Sequence, residues 1–204
     1  EDYDIVMVGH RGHVEVEGTM GHAPDRMYLV ESVDDARRLQ VRRPDRLAVV
    51  TQTTLSVDDT REIVAALQER FPGLRTPPKD DICYATQNRQ SAVKAIAARA
   101  DLVLVIGSPA SSNANRLVEV ARREGATARL IESADTIDPL WLTDCATVGV
   151  TAGASTPEVL VEEVLAALAR LGFRKVETVT TAEESVAFPL PRALRGTSAP
   201  ARAH

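Results

Sequence analysis

Hydrophobic and polar positions along the chain repeat one unit. A short β-branched or aliphatic run is followed by a loop of small hydroxyl residues, and then by an amphipathic stretch of helical period. Residues 5–8 predict the first strand, followed by a polar segment over residues 9–21. Residues 27–30 predict a second strand, and Ser32 is placed to cap a helix near 33–39 with Asp34 and Asp35 in its first turn. A third strand is predicted at 47–51. Thr53, Thr54 and Ser56 then lead into a helix over 57–70, where Ile63, Val64 and Leu67 share a face and Ser56 and Asp59 have capping-box spacing. Phe71, Pro72 and Gly73 end that helix, and Thr76-Pro77-Pro78-Lys79 reads as a linker.

The second half repeats the scheme. A helix opens over 80–84 and runs to about Ala100, and residues 102–106 form a fully apolar strand. A small-residue loop covers 107–113, and a helix at 115–124 stops at Gly125. Strands are predicted at 128–131 and 147–150, a loop at 151–155, and a helix at 159–171 that starts beside Pro157 and ends at Gly172. Residues 176–180 predict a last strand, and from Arg192 the tail has no periodicity and is expected to be mobile. Strands alternating with helices give an α/β fold of repeated, three-layer-like domains with mostly parallel sheets. The expected division is one α/β domain over 1–79, a second over 80–172, and an extension and tail over 173–204.

Composition narrows the function classes. Of 204 residues, 44% are hydrophobic and 26% charged, which is globular, and the 3% of aromatics leaves core packing to Ala, Val, Leu and Ile. The net charge of −5 argues against nucleic acid or an anionic membrane as main partner, since both need a concentrated basic face. No apolar run is long enough to span a bilayer. Two cysteines, Cys83 and Cys145, are too few for a disulfide scaffold, so a reduced cytoplasmic setting is expected. The chain enters a strand almost at once without an initiator Met, so it is expected to be a piece of a longer protein.

Ligands of open α/β sheets collect beyond the carboxyl ends of the strands. There the loops Gly107-Ser-Pro-Ala-Ser-Ser-Asn113 and Thr151-Ala-Gly-Ala-Ser155 offer hydroxyls, an amide and helix N-terminal N–H groups, which suit phosphate. Ser, Thr and Asn also start ordinary helices. One such loop alone reads as capping, and two in adjacent units leave capping and phosphate binding side by side. The segment Gly9-His-Arg-Gly-His-Val-Glu-Val-Glu-Gly-Thr-Met-Gly21 packs His and Glu, the usual proton carriers, among four glycines. If residues 13–17 are extended, His13, Glu15 and Glu17 share a face; the alternatives are an exposed charged loop or a His–Glu metal pair. Cys83 lies near a helix start, where thiolate is favoured, or is a small core residue; Cys145 reads as core.

Five blocks together, GHRGHVEVEGTMG, TQTTLSVDD, KDDICYATQNRQ, GSPASSNANRL and VGVTAGASTPE, resemble the C-terminal two-thirds of 4-hydroxy-3-methylbut-2-enyl diphosphate reductases of the non-mevalonate isoprenoid pathway, over residues 5–190. The resemblance implies three α/β domains around a [4Fe-4S] cluster, of which this chain carries two. It implies Cys83 as one of three cluster ligands, the other two lying in the absent first domain. It also implies His13 as a substrate-binding residue, Glu15 as the proton-delivering residue, and Thr53 as the residue orienting the substrate hydroxyl. Thr54 follows more weakly, and Ser111, Ser112, Asn113 and Ser155 match the diphosphate-holding residues. Val14 stands where the family usually has Pro. The implied reaction removes the substrate hydroxyl reductively to give isopentenyl and dimethylallyl diphosphate. Its electrons come from a separate donor such as ferredoxin or flavodoxin, because no GxGxxG fingerprint occurs. Two alternatives remain: a phosphate-ligand module without a cluster, and a sugar-phosphate isomerase-like α/β enzyme.

Overall fold

The computed structural model describes residues 2–78, 81–183 and 189–191. Six strands, β1 (Asp4–Val8), β2 (Met27–Val30), β3 (Leu47–Thr51), β4 (Leu102–Ile106), β5 (Thr127–Ile131) and β6 (Val148–Ala152), form two three-stranded sheets. The orders are β2-β1-β3 and β5-β4-β6, and every pairing is parallel. Among the described residues six α-helices flank them: α1 (Val14–Gly21), α2 (Val33–Arg38), α3 (Val57–Arg70), α4 (Tyr84–Ala97), α5 (Ser112–Arg123) and α6 (Glu158–Arg170). The expected α/β architecture with parallel sheets is therefore present.

The central strands explain their own apolar runs. All five residues of β4 are buried, because a parallel strand between two neighbours is covered on both faces. Val103 and Val105 pack toward Val93, Ala97, Leu117 and Ala121 of α4 and α5, whereas Leu102, Leu104 and Ile106 pack toward Val164 and Leu168 of α6. Alternation along β1 divides in the same way. Val6 and Val8 join Ala36, Ile63 and Leu67, while Met7 joins Val16 of α1. Each sheet is thus the middle of three layers.

Several expectations change. Residues 14–21 form helix α1 rather than an extended or irregular segment, so Glu15 and Glu17, two residues apart, do not share a face. Only Val16 of α1 is buried, which is why the segment shows no hydrophobic period. Helix α4 begins at Tyr84 with Cys83 as its N-cap; of the expected opening, Asp80 lies outside the described residues, and Asp81 instead accepts a hydrogen bond from the Thr51 N–H (2.9 Å). Helix α5 takes in Ser112 and Asn113, which the sequence placed in a loop. No strand forms at 176–180. Val176 is 63% exposed, and Glu177 instead salt-bridges Arg99 at 2.8 Å. The tail from Arg192 lies outside the described residues. No helix among them is long and apolar enough to cross a membrane.

Candidate functional site

The site forms at the carboxyl ends of β1, β3, β4 and β6. After β1 the chain turns through Gly12, whose φ of +79° favours glycine, and enters α1 at His13. His13 caps that helix: its Nδ1 accepts the Glu15 N–H at 3.3 Å. Because Nδ1 is an acceptor here, a neutral ring carries its proton on Nε2. Glu15 extends across to the loop after β3. Its Oε1 accepts the Thr53 N–H (2.9 Å), and its Oε2 accepts the Thr53 hydroxyl (3.1 Å). Two donors from one residue fix the plane of the carboxyl group.

Thr53 also carries the third component, since its carbonyl accepts the Cys83 N–H at 3.1 Å. Cys83 is exposed, is a free thiol, and sits at the N-terminus of α4, which has no side-chain cap. An exposed, free cysteine is a soft sulfur donor of the kind a metal takes. His13, Glu15, Thr53 and Cys83 are therefore joined through consecutive hydrogen bonds. Cys145 is different. It is partly buried, its Sγ donates to the Trp141 carbonyl (3.2 Å), and burial, followed by the charges of Asp101 and Asp144, pushes its thiol up from the ordinary value. Among the described residues no cluster of three or more His, Cys, Asp or Glu gathers to hold a metal. Cys83 offers a metal or cluster one sulfur donor, and among the described residues the other cysteine, Cys145, is bonded to the Trp141 carbonyl instead.

The second half of the site is the N-terminus of α5. Gly107 lets it approach β4: a Cβ there would stand 2.6 Å from that of Ala114. Ser111 caps the helix, accepting the Ala114 N–H at 3.3 Å, so the capping reading holds for its hydroxyl. Helix α6 has no side-chain cap, and Ser155 lies with Ser111, Ser108, Gly107 and Thr156 around a cleft that Glu132 also lines. Asn113 is 7% exposed, and neither its Oδ1 nor its Nδ2 has a partner. A buried side-chain amide with both ends unmet is costly in a stable fold and points to a ligand.

The two halves meet at Ser112, whose Oγ lies 2.9 Å from the Thr54 Oγ1 and accepts from Gln52 Nε2 (3.3 Å). Gln52 also donates to Thr54 (2.9 Å) and accepts the His10 N–H (3.0 Å) while fully buried. Arg89 of α4 donates to the Ala152 carbonyl at the end of β6 (2.9 Å). Gln90 ties α4 to the start of α3 through the Val57 N–H (3.0 Å) and the Leu55 carbonyl (2.8 Å). Sequence reasoning missed Gln52, Arg89 and Gln90. It could have noticed a polar Gln directly following the apolar run of β3.

Comparison with known proteins identifies the family. A relative from Burkholderia mallei, described as 4-hydroxy-3-methylbut-2-enyl diphosphate reductase 2, is 55% identical over 98% of this chain and 61% of its own length. The enzyme of that name from Bordetella pertussis is 59% identical over 94% of this chain and 59% of its own. The solved structure of the Plasmodium falciparum E-1-hydroxy-2-methyl-but-2-enyl-4-diphosphate reductase superimposes with a TM-score of 0.87 at 36% identity, covering 94% of this chain and 61% of that one. The chain thus spans about 60% of the length of the relatives it matches. The family model described as LytB protein matches residues 1–169, and the chain belongs to that family.

Proposed function

We propose that this chain is the substrate-holding and proton-delivering part of a 4-hydroxy-3-methylbut-2-enyl diphosphate reductase, the last enzyme of the non-mevalonate isoprenoid pathway. The observation that carries this reading is the hydrogen-bonded series Glu15–Thr53–Cys83, in which Thr53 binds the Glu15 carboxyl through its N–H and hydroxyl and the backbone N–H of the free cysteine Cys83 through its carbonyl. Family membership favours the reductase over a cluster-less phosphate module or an isomerase-like enzyme, neither of which needs Cys83. The separate sheets of three strands support a division into units at 1–79 and 80–172.

In this reading the substrate diphosphate takes hydrogen bonds from Ser111, Ser112, Asn113 and Ser155 and from the N–H groups opening α5. The Asn113 Nδ2 then gains the acceptor that it lacks. Its binding energy fixes the far end of the substrate, so that the hydroxyl comes to the Glu15–Thr53 pair already oriented. Thr53 bonds that hydroxyl, and His13 donates from Nε2. Glu15 gives the proton that turns the departing oxygen into water. Loss of the hydroxyl takes two electrons and two protons, with the second proton ending on carbon. A [4Fe-4S] cluster held by Cys83 and two further thiolates supplies the electrons and a Lewis-acidic iron when bound. A ferredoxin or flavodoxin refills it in a cytoplasmic, reducing setting.

The test is anaerobic turnover of the full-length, cluster-loaded protein with a strong artificial reductant. Isopentenyl and dimethylallyl diphosphate are the expected products, and no product from a protein with an intact cluster spectrum contradicts the reading.

A further inference from the structure

The contact between Arg116 and His10 is used by neither half of the site. Arg116 sits one turn into α5, beyond the residues proposed to hold diphosphate, and is only 8% exposed although charged. Its Nη2 lies 2.7 Å from the Nε2 of His10, in the loop between β1 and α1. A guanidinium only donates, so Nε2 is the acceptor and the ring proton sits on Nδ1. Nη1 is held by Glu119 on the same helix and approaches Asp59 of α3 at 3.7 Å, which fixes the fork in place. The backbone of the same His10 is held from the other side, its N–H donating to Gln52 Oε1 at 3.0 Å, while Gln52 Nε2 reaches Ser112.

His10 is therefore gripped twice by groups belonging to, or bonded to, the start of α5, and three residues later the same loop delivers His13 and then Glu15. We propose that Arg116 is a positioning residue, with His10 as its acceptor, and that this bond sets the register between the end of the site that holds an anion and the end that moves a proton. The inference rests on the reductase reading. A substrate bound by its diphosphate at α5 reaches Glu15 only if the 9–13 loop stands at a fixed distance from that helix. A misplacement of about 1 Å costs on the order of 10²-fold in rate without abolishing binding.

The test uses the full-length, cluster-loaded protein and its variants R116M, R116K, H10L and H10Q. Methionine and leucine keep bulk but lose the donor or the acceptor, whereas lysine still donates and the glutamine oxygen can accept in place of Nε2. Turnover is measured with the cluster spectrum and, independently of activity, calorimetric binding of inorganic diphosphate. R116M and H10L are expected to lower kcat about 10²-fold. The R116M/H10L double variant should be no worse than either alone, and R116K and H10Q should recover most of the loss. Diphosphate affinity and the cluster spectrum should remain within twofold of wild type throughout. Activity within twofold in R116M and H10L, losses that multiply in the double variant, or affinity falling in parallel with kcat would each overturn the assignment. A wild-type protein that binds diphosphate and holds its cluster but makes no product would instead sink the reductase reading, and the assignment with it.

Discussion

Replacing Asn113 by Ala separates ligand binding from helix capping, because the two roles predict opposite effects on stability. Asn113 is buried in the first turn of α5 with neither end of its amide satisfied, whereas the cap of that helix is Ser111. An unsatisfied buried polar group costs about 1–3 kcal/mol, and Ala is also the better helix former. Against this stands the packing lost from a side chain near Gly153, on the order of 1 kcal/mol. The ligand-free variant should therefore be as stable as wild type or up to about 3 kcal/mol more stable. Inorganic diphosphate at a hundred times its Kd should stabilise wild type by about 2.7 kcal/mol. The variant loses hydrogen bonds to a charged group worth roughly 1.5–3 kcal/mol, and most of that shift with them. Urea unfolding of the full-length protein with and without diphosphate measures both quantities. A ligand-free variant destabilised by more than about 1 kcal/mol, with an unchanged ligand shift, would refute the reasoning and make Asn113 a structural residue.

Two further outcomes follow from groups around the site. In the full-length protein, Cys83→Ser should bleach the cluster absorbance, whereas Cys145→Ser, which removes only a thiol bonded to the Trp141 carbonyl, should leave it intact; visible spectra and iron content after desalting decide between them. The Asp58 carboxyl is held below its ordinary value of 3.8 by the hydrogen bond from Lys94, which links α3 to α4. A depressed carboxylate stabilises the fold above its unfolded value and loses that contribution as the pH falls through the folded one. The stability advantage of wild type over Asp58→Asn should thus be present at pH 5–7, start to fall as the pH drops below 3.8 and be gone once it has passed the lower folded value, as seen in urea midpoints across that range.

What the sequence revealed depended on whether its signal was local. The strands announced themselves as short apolar runs, and α3 through a capping serine whose Oγ does accept the Asp59 N–H (3.2 Å). The phosphate-type loops were legible because helix N-termini carry a composition that chemistry also uses. Helix α1 was not legible, since two glycines in eight residues and a single buried residue give it neither propensity nor period. The missed residues share a different cause. Gln52, Gln90 and Arg116 act through partners 33 to 106 positions away, and nothing nearby in the chain marks a buried polar group as satisfied. Arg116 left one trace, a charge among Ala114, Leu117, Val120 and Ala121 on the buried face of α5.

The account rests on Glu15 delivering a proton rather than merely binding. Glu15→Gln keeps the shape and an oxygen to accept the Thr53 N–H, with its NH2 donating to the Thr53 hydroxyl instead of accepting from it, but has no acidic proton to give; Glu17, on another face of α1, serves as its control. Steady-state turnover of both variants in the full-length, cluster-loaded protein, alongside substrate-induced spectral shifts, is the most direct measurement. The predicted result is a loss of about 10²–10⁴-fold for Glu15→Gln with substrate binding and cluster retained, and near-normal turnover for Glu17→Gln. Near-normal turnover in the Glu15 variant, or a collapse confined to the Glu17 variant, would contradict the account.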